Sequence, residues 1–317
     1  MRKRELFVFL LLLGKYFLCG SDIIRLNELS STGGKFIISD NYIYTFDPKD
    51  YAIKIFSLRG ELINIKSLNG GGPGEVSTMG GMIYRNGENL LILEPVKKRW
   101  IEYDKKLNFL REGRFDEPIT VVKNMGKNLI GGNGGLEEGK YIKKIYLLSD
   151  NFKLKKEIYK EYGKFLENKI DSNEFYITLD ATPELIAFGF GNTNKVRMID
   201  INGNLQREIS LNIKPTMYGK DSLYLIRKFL PQKIENFMEF TTYPFIFQVL
   251  FISNYELLII SGEMVHNDQA KGYIYNLNSE TTKNMTLPIG VYCFHKGILY
   301  IISEDEEGCF LKGIRIK

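Results

Sequence analysis

From Phe36 onward, apolar residues come in short runs punctuated by Gly, Asp and Pro. Phe36-Ile37-Ile38-Ser39-Asp40 is followed at once by Tyr42-Ile43-Tyr44-Thr45-Phe46, then a turn at Asp47-Pro48-Lys49-Asp50. Ala52-Ile53-Lys54-Ile55-Phe56 alternates strictly at Ile53 and Ile55, Arg59-Gly60 turns the chain, and Glu61-Leu62-Ile63-Asn64-Ile65-Lys66 closes the unit. Short runs rich in branched and aromatic residues, bounded by turn formers, predict β-strands. Four strands, three tight turns and one longer jump describe one antiparallel sheet.

The unit recurs. Its clearest echo is an apolar strand that ends in a polar turn before a further strand. This reads Lys54-Ile55-Phe56-Ser57-Leu58-Arg59-Gly60-Glu61-Leu62, then Trp100-Ile101-Glu102-Tyr103-Asp104 before Leu107, Tyr146-Leu147-Leu148-Ser149-Asp150-Asn151 before Phe152, Met198-Ile199-Asp200-Ile201-Asn202-Gly203, and Tyr273-Ile274-Tyr275-Asn276-Leu277-Asn278. Inner strands are expected near Phe36, Met82, Ile119, Phe175, Ile246 and Val291. Their spacing is uneven but close to the ~40–50 residues of a propeller blade. The sixth unit reaches Lys317 after three strands, while residues 22–29 form a leftover strand at the other terminus. The prediction is an all-β, six-bladed β-propeller of four-stranded antiparallel blades over residues 22–317, its ring closed by that N-terminal strand.

The longer jump after the first unit is Gly70-Gly71-Gly72-Pro73-Gly74-Glu75. Glycine supplies positive φ and close backbone approach, proline fixes φ, and Glu75 is expected to anchor the link through backbone N–H groups. This link resembles the glycine-proline-glycine-glutamate signature of exported bacterial six-bladed β-propellers, which are similar to NHL-repeat and TolB-like propellers. The resemblance covers residues 22–317 in architecture, but Gly72, Pro73, Gly74 and Glu75 carry the motif clearly only at this junction. Asp116-Glu117-Pro118 and Thr286-Leu287-Pro288-Ile289-Gly290 keep a proline. The family implies a fold and says little of activity, since propellers host unrelated functions.

The N-terminus changes the picture of compartment. Arg2, Lys3 and Arg4 precede a nine-residue apolar run over residues 6–14, too short to span a bilayer and laid out as a signal peptide over residues 1–20. Cys19 stands where a lipoprotein cysteine would, although Leu18 before it is bulky. Lipidation there would be the chain's means of membrane attachment. Residues 1–20 hold four basic residues and one acidic, so the net charge of +5 becomes +2 without them. That near-neutral balance, without a basic stripe interleaved with aromatics, argues against nucleic acid as a partner. Cys293 and Cys309 then remain. On the inner and third strands of the sixth blade they stand two ladder spacings apart, ~9–10 Å, beyond reach of a disulfide. Both are expected free and buried, in a monomer.

Candidate chemistry is sparse. Long segments collect on the face carrying second-to-third strand loops and blade links: Gly131 to Gly139 in blade three, Gly189 to Asn194 in blade four, and Gly262 to Gln269 in blade five. Two long links, near residues 162–173 and 212–243, join them. In the second, Leu223, Ile226 and Leu230, then Ile234, Phe237 and Met238, repeat at helical spacing. Glu137, Glu138, Asn192, Asn194, His266 and Asp268 are the expected ligand contacts, by position and polarity, for a protein segment or glycan. Glu137-Glu138 within glycines is also a conceivable Ca²⁺ loop. His266 and His295 belong to opposite faces and cannot share a metal. No Ser/His/Asp or Cys/His arrangement can be drawn, so no catalytic residue is nominated. The leading expectation is an exported binding or scaffold module without a cofactor. The competing one is a lactonase-like hydrolase or lyase with a divalent ion in the channel. That needs three or four acidic or amide side chains on inner strands, and only Asp180 and Glu184 of blade four suggest themselves.

Overall fold

A computed structural model of the chain describes residues 23–30, 36–39, 41–47, 49–70, 72–76, 82–165, 170–171, 176–214, 216–217, 238–239, 244–266, 269–288, 290–305 and 307–316. Six four-stranded antiparallel sheets follow one another along it. Their inner strands are Phe36–Ile38, Met82–Asn86, Val121–Met125, Ile177–Ala181, Ile246–Ser253 and Val291–His295. The inner strand of each blade touches those of both neighbours, and the sixth touches the first. The fold is a six-bladed β-propeller, as the repeat predicts.

The apolar side chains meet between blades. Ile53 and Phe46 of blade one pack with Ile92 and Tyr103 of blade two. Leu257 and Tyr275 of blade five pack with Val196 and Ile209 of blade four. A sheet sandwiched in this way buries both faces of its middle strands, which is why Leu90-Leu91-Ile92-Leu93 is an unbroken apolar run. Outer strands such as Leu62–Ser67 face solvent and read mixed.

Ring closure is the work of Ile23–Arg25, which pairs antiparallel with Gly308–Arg315 as the fourth strand of blade six, Ile24 opposite Leu311. The Leu26 N–H extends the ladder to the Cys309 carbonyl at 2.9 Å. Leu26 then buries beside Ile43, Phe56 and Leu311 in the interface between blades six and one. Cys293 lies opposite Tyr300 on the inner strand, and Cys309 lies opposite Glu304 on the third. Both thiols are free, Cys309 buried and Cys293 only half-buried in the channel wall.

The recurrent polar turn has one construction. Ser57, Asp104, Ser149, Asp200 and Asn276 each accept backbone N–H donors from within the turn they open. Four to five residues into each motif the chain takes positive φ, at Gly60, Leu107, Phe152, Gly203 and Glu280. A Cβ on Gly60 would collide with the Arg25 carbonyl, and one on Gly203 with that of Ile158. Where the preceding blade stands further off, Leu107 and Phe152 fill the gap with buried side chains.

Several expected loops are strands. Gly131 through Glu137 belong to the second strand of blade three, Asn128–Glu137, and only Glu138-Gly139 turn. The glycines there serve packing, since a Cβ on Gly132 would meet Leu179 and Val121 at under 3 Å. Gly189 and Phe190 likewise end the second strand of blade four, Ile186–Phe190, and Gly262 to His266 lie in that of blade five, Glu256–His266. Met238 is in a two-residue strand, Met238–Glu239, parallel to Ile170–Asp171 of the other long link, rather than in a helix. The remaining helix-spaced positions, residues 223–237, lie outside the described residues.

Candidate functional site

The links between blades emerge on one face of the disc, and on that face three of the described segments are held by charged side chains. In the first, the Glu75 carboxylate accepts the Gly72 N–H at 2.7 Å, and the Glu75 N–H donates to the Gly72 carbonyl at 3.1 Å. Blade two then grips this closed loop. Arg99 donates to the Glu75 and Gly72 carbonyls at 2.8 and 3.2 Å, while Glu112 accepts the Gly74 N–H at 2.8 Å. Glu94, fully buried, holds Arg99 at 3.1 Å. Arg99 carries no motif signal, because nothing local says that a strand-initial arginine faces a loop 24 residues away.

The same device recurs. Blade one ends its second strand at Asp47, paired at 2.9 Å with the buried Lys54 of the third strand. The two bind the Ser30 N–H and the Glu28 carbonyl of the segment arriving from the closing strand. Blade five pairs Glu263 with Lys271 at 3.3 Å, and Glu263 accepts the Lys214 N–H of the incoming link at 3.2 Å. A carboxylate and a base at the top of the second and third strands thus hold the preceding link in three blades.

Above this level two hairpins rise furthest among the described residues, five residues past their inner strands against three in blade six. In blade three the inner strand pairs no further than Gly132, whereas the second and third strands continue to Glu137 and Lys140. In blade five inner-strand pairing ends at Ser261, and the hairpin continues to His266 and Gln269. Blade four, between them, has no overhang, because its inner strand pairs to Phe190, the last residue of the second strand. The result is a saddle whose low point is the turn Gly191-Asn192-Thr193-Asn194.

The nominated contacts distribute unequally over it. Asn192 lies in the turn and accepts a hydrogen bond from the buried Lys143 of blade three, whose ammonium also stands 4.6 Å over the Phe190 ring. Asn194 donates to the Leu211 carbonyl at 2.6 Å. Glu137 is on the other face of the blade-three hairpin, toward blade two, paired with Lys160 and Lys144 at 3.1 and 3.2 Å. Those two lysines hold its carboxyl below the usual range. With two ammonium partners and strand geometry around it, Glu137 is poorly suited to Ca²⁺. Glu138 is exposed at positive φ in the tight turn. His266 ends the second strand of blade five opposite Gln269, and Asp268 lies outside the described residues.

The channel through the ring has a different character. Inner strands present a free edge to it, and side chains of neighbouring blades cap that edge. Tyr84 donates to the Thr120 carbonyl at 2.7 Å, Gln248 to the Tyr292 carbonyl at 3.0 Å, and Thr178 and Asp180 accept the Val249 and Phe251 N–H groups at 3.2 and 2.9 Å. Asp180 is the fourth of five residues in its strand, so it lies toward the face opposite the links. It pairs with Lys123 at 3.1 Å. Burial works against the Lys123 charge, but the Asp180 carboxylate more than offsets it and raises the ammonium pKa. Burial pushes the Cys293 thiol up. His295 ends the same strand set on the Asp180 side, and Glu184 is exposed in the turn beyond. A divalent ion needs converging oxygen ligands. Among the described lining residues Asp180 is the one carboxylate, and both its oxygens are engaged, so the donor set does not fit.

No protein-family model matches the chain, and no curated protein matches it by sequence. Solved structures match by fold. A protein described as exported, from Bacteroides fragilis, is similar with a TM-score of 0.57 at 12% identity, covering 94% of this chain and 95% of that one. A member of the DUF4221 family from Bacteroides vulgatus matches at 0.52 and 9% identity over 92% and 96%. The WD40 repeats of RRP9 match at 0.53 and 13% over 93% and 97%. Such likeness shows the propeller and nothing of its task. Among the described residues no helix is long and apolar enough to cross a membrane.

Proposed function

We propose that the chain is an exported binding module that holds a segment of a partner protein in the saddle over blade four. The observation that supports it is the pair of hairpins on blades three and five, which outgrow their inner strands on either side of a blade with no overhang. Conserving the blade core would not require either extension, and polar groups at a concave surface are the usual means of orienting a peptide. Asn192 and Asn194 form the floor, Glu138 the tip of one wall, and the hairpin ending at His266 the other; Glu137 faces away, and Asp268 lies outside the described residues. Export rests on the leader over residues 1–20, and Cys19 is its candidate lipid attachment point. The fold likeness to a protein described as exported agrees with it.

The test is selection of peptides on the purified chain, followed by binding to a variant in which residues 136–141 are replaced by Asn-Gly, so that Gly135 still pairs with Ile142. Selected peptides should lose binding to that variant while its melting profile stays cooperative. Peptides that bind both forms equally would remove the saddle from consideration. Fractionation with palmitate labelling of the wild type and of Cys19→Ala decides anchoring separately.

A further inference from the structure

The channel is a cavity of about 810 Å³ walled by the inner strands of all six blades, within the ~300–1,000 Å³ of small-molecule sites. Two features give it a chemical direction. Toward the links its wall is apolar and aromatic, with Phe36, Met82 and the stacked pair Tyr176 and Phe247, whose rings are 6.1 Å apart at 18°. Toward the opposite face the wall carries charge, with Arg85, Lys123 and Asp180. Both Asp180 oxygens are engaged, one by Lys123 and one by the Phe251 N–H. An ammonium donates three hydrogen bonds, and this carboxylate oxygen takes one from Lys123. Cys293, the third of five residues in its inner strand, lines the same channel.

We propose that this channel binds a small organic acid, an aromatic or apolar body against Tyr176 and Phe247 with its carboxylate on Lys123. Arg85 at this end is exposed and engaged by Glu88 at 3.4 Å and by the Gly87 carbonyl at 2.7 Å, so the donors that would meet a carboxylate are those of Lys123 beyond the one given to Asp180. The wall is built beforehand, because Tyr84, Gln248, Thr178 and Asp180 already tie neighbouring inner strands together, so little ordering opposes binding. The site is separate from the saddle and does not depend on the partner assigned there.

Phenylacetate, indole-3-acetate and their neutral amides are suitable probes, read by titration calorimetry and by the alkylation rate of Cys293. Cys309, buried between blades six and one, is the internal reference. The acids should bind saturably and about tenfold or more tighter than the amides, as expected of a charge-assisted hydrogen bond, and should slow labelling of Cys293 but not Cys309. Lys123→Gln leaves Asp180 uncompensated, so Lys123→Gln/Asp180→Asn is made beside it. If the double variant folds and loses the preference for acid over amide, the assignment to Lys123 stands. Equal binding of acids and amides, no saturable binding by any probe, unchanged Cys293 labelling, or a double variant that keeps the preference would each overturn the proposal.

Discussion

Lys54 shows how much one side chain holds. Its ammonium is buried, paired with the buried Asp47, and bound to the carbonyl of Glu28. Lys54→Met would strand the Asp47 carboxylate, and breaking a buried pair in this way costs about 3–5 kcal/mol. Urea unfolding should show that loss, and a change under about 1 kcal/mol would mean that the pair is water-exposed in solution. Acid acts on the same kind of contact. Lys54 and Ser30 hold the Asp50 carboxyl below its usual range. Burial opposes the same shift in Glu112, but the Gly74 N–H and Arg99 outweigh it. A carboxylate whose folded pKa is depressed contributes stability above its unfolded pKa and loses it as pH falls through the folded one. The melting temperature should therefore be flat near neutrality and fall below about pH 4.

At the scale of elements, the third-to-outer turn is the unit of repetition. Its positive-φ residue is glycine where the preceding blade's backbone is close, and Leu107 or Phe152 where it is not. Gly203→Ala combines strain with a collision against the Ile158 carbonyl and should destabilise by about 2–3 kcal/mol. Gly87→Ala, also at positive φ but with nothing within 4 Å, should cost about 1 kcal/mol. Equal effects in thermal melts would show that backbone strain alone governs these turns. The alternation at Ile53 and Ile55 and the Asx and Ser turn openers made these elements legible, since both are local signals. The long hairpins were read as loops because glycine is ambiguous. Gly131 and Gly132 sit in a strand for want of room beside Leu148, Ile119 and Leu179, which are far from them in sequence.

For the molecule as a whole, the ring is closed by a strand of three residues. A chain starting at residue 27 should leave the third strand of blade six as an open edge and expose Cys309, whose carbonyl Leu26 now caps. Alkylation of Cys309 should accelerate at least tenfold, and an unchanged rate would show that blade six is stable with three strands. The channel bears on the whole ring too. With Asp180 as its one described carboxylate, chelators should leave the melting temperature unchanged, and a calcium-dependent rise would revive an ion in the channel.

The repeat of four short strands, the leftover strand at the start and the incomplete last sheet were enough to determine the six-bladed ring, because strand period and turn chemistry are written within a few residues of each other. That register also separated Cys293 from Cys309. The grip of Arg99 on a loop 24 residues earlier, the pairing of Glu137 with two lysines away from the saddle, and the meeting of Lys123 with Asp180 were decided only when six sheets packed in a circle. Such contacts depend on the angle between blades and on which strand end faces the channel, and those are properties of the closed ring rather than of any stretch of chain.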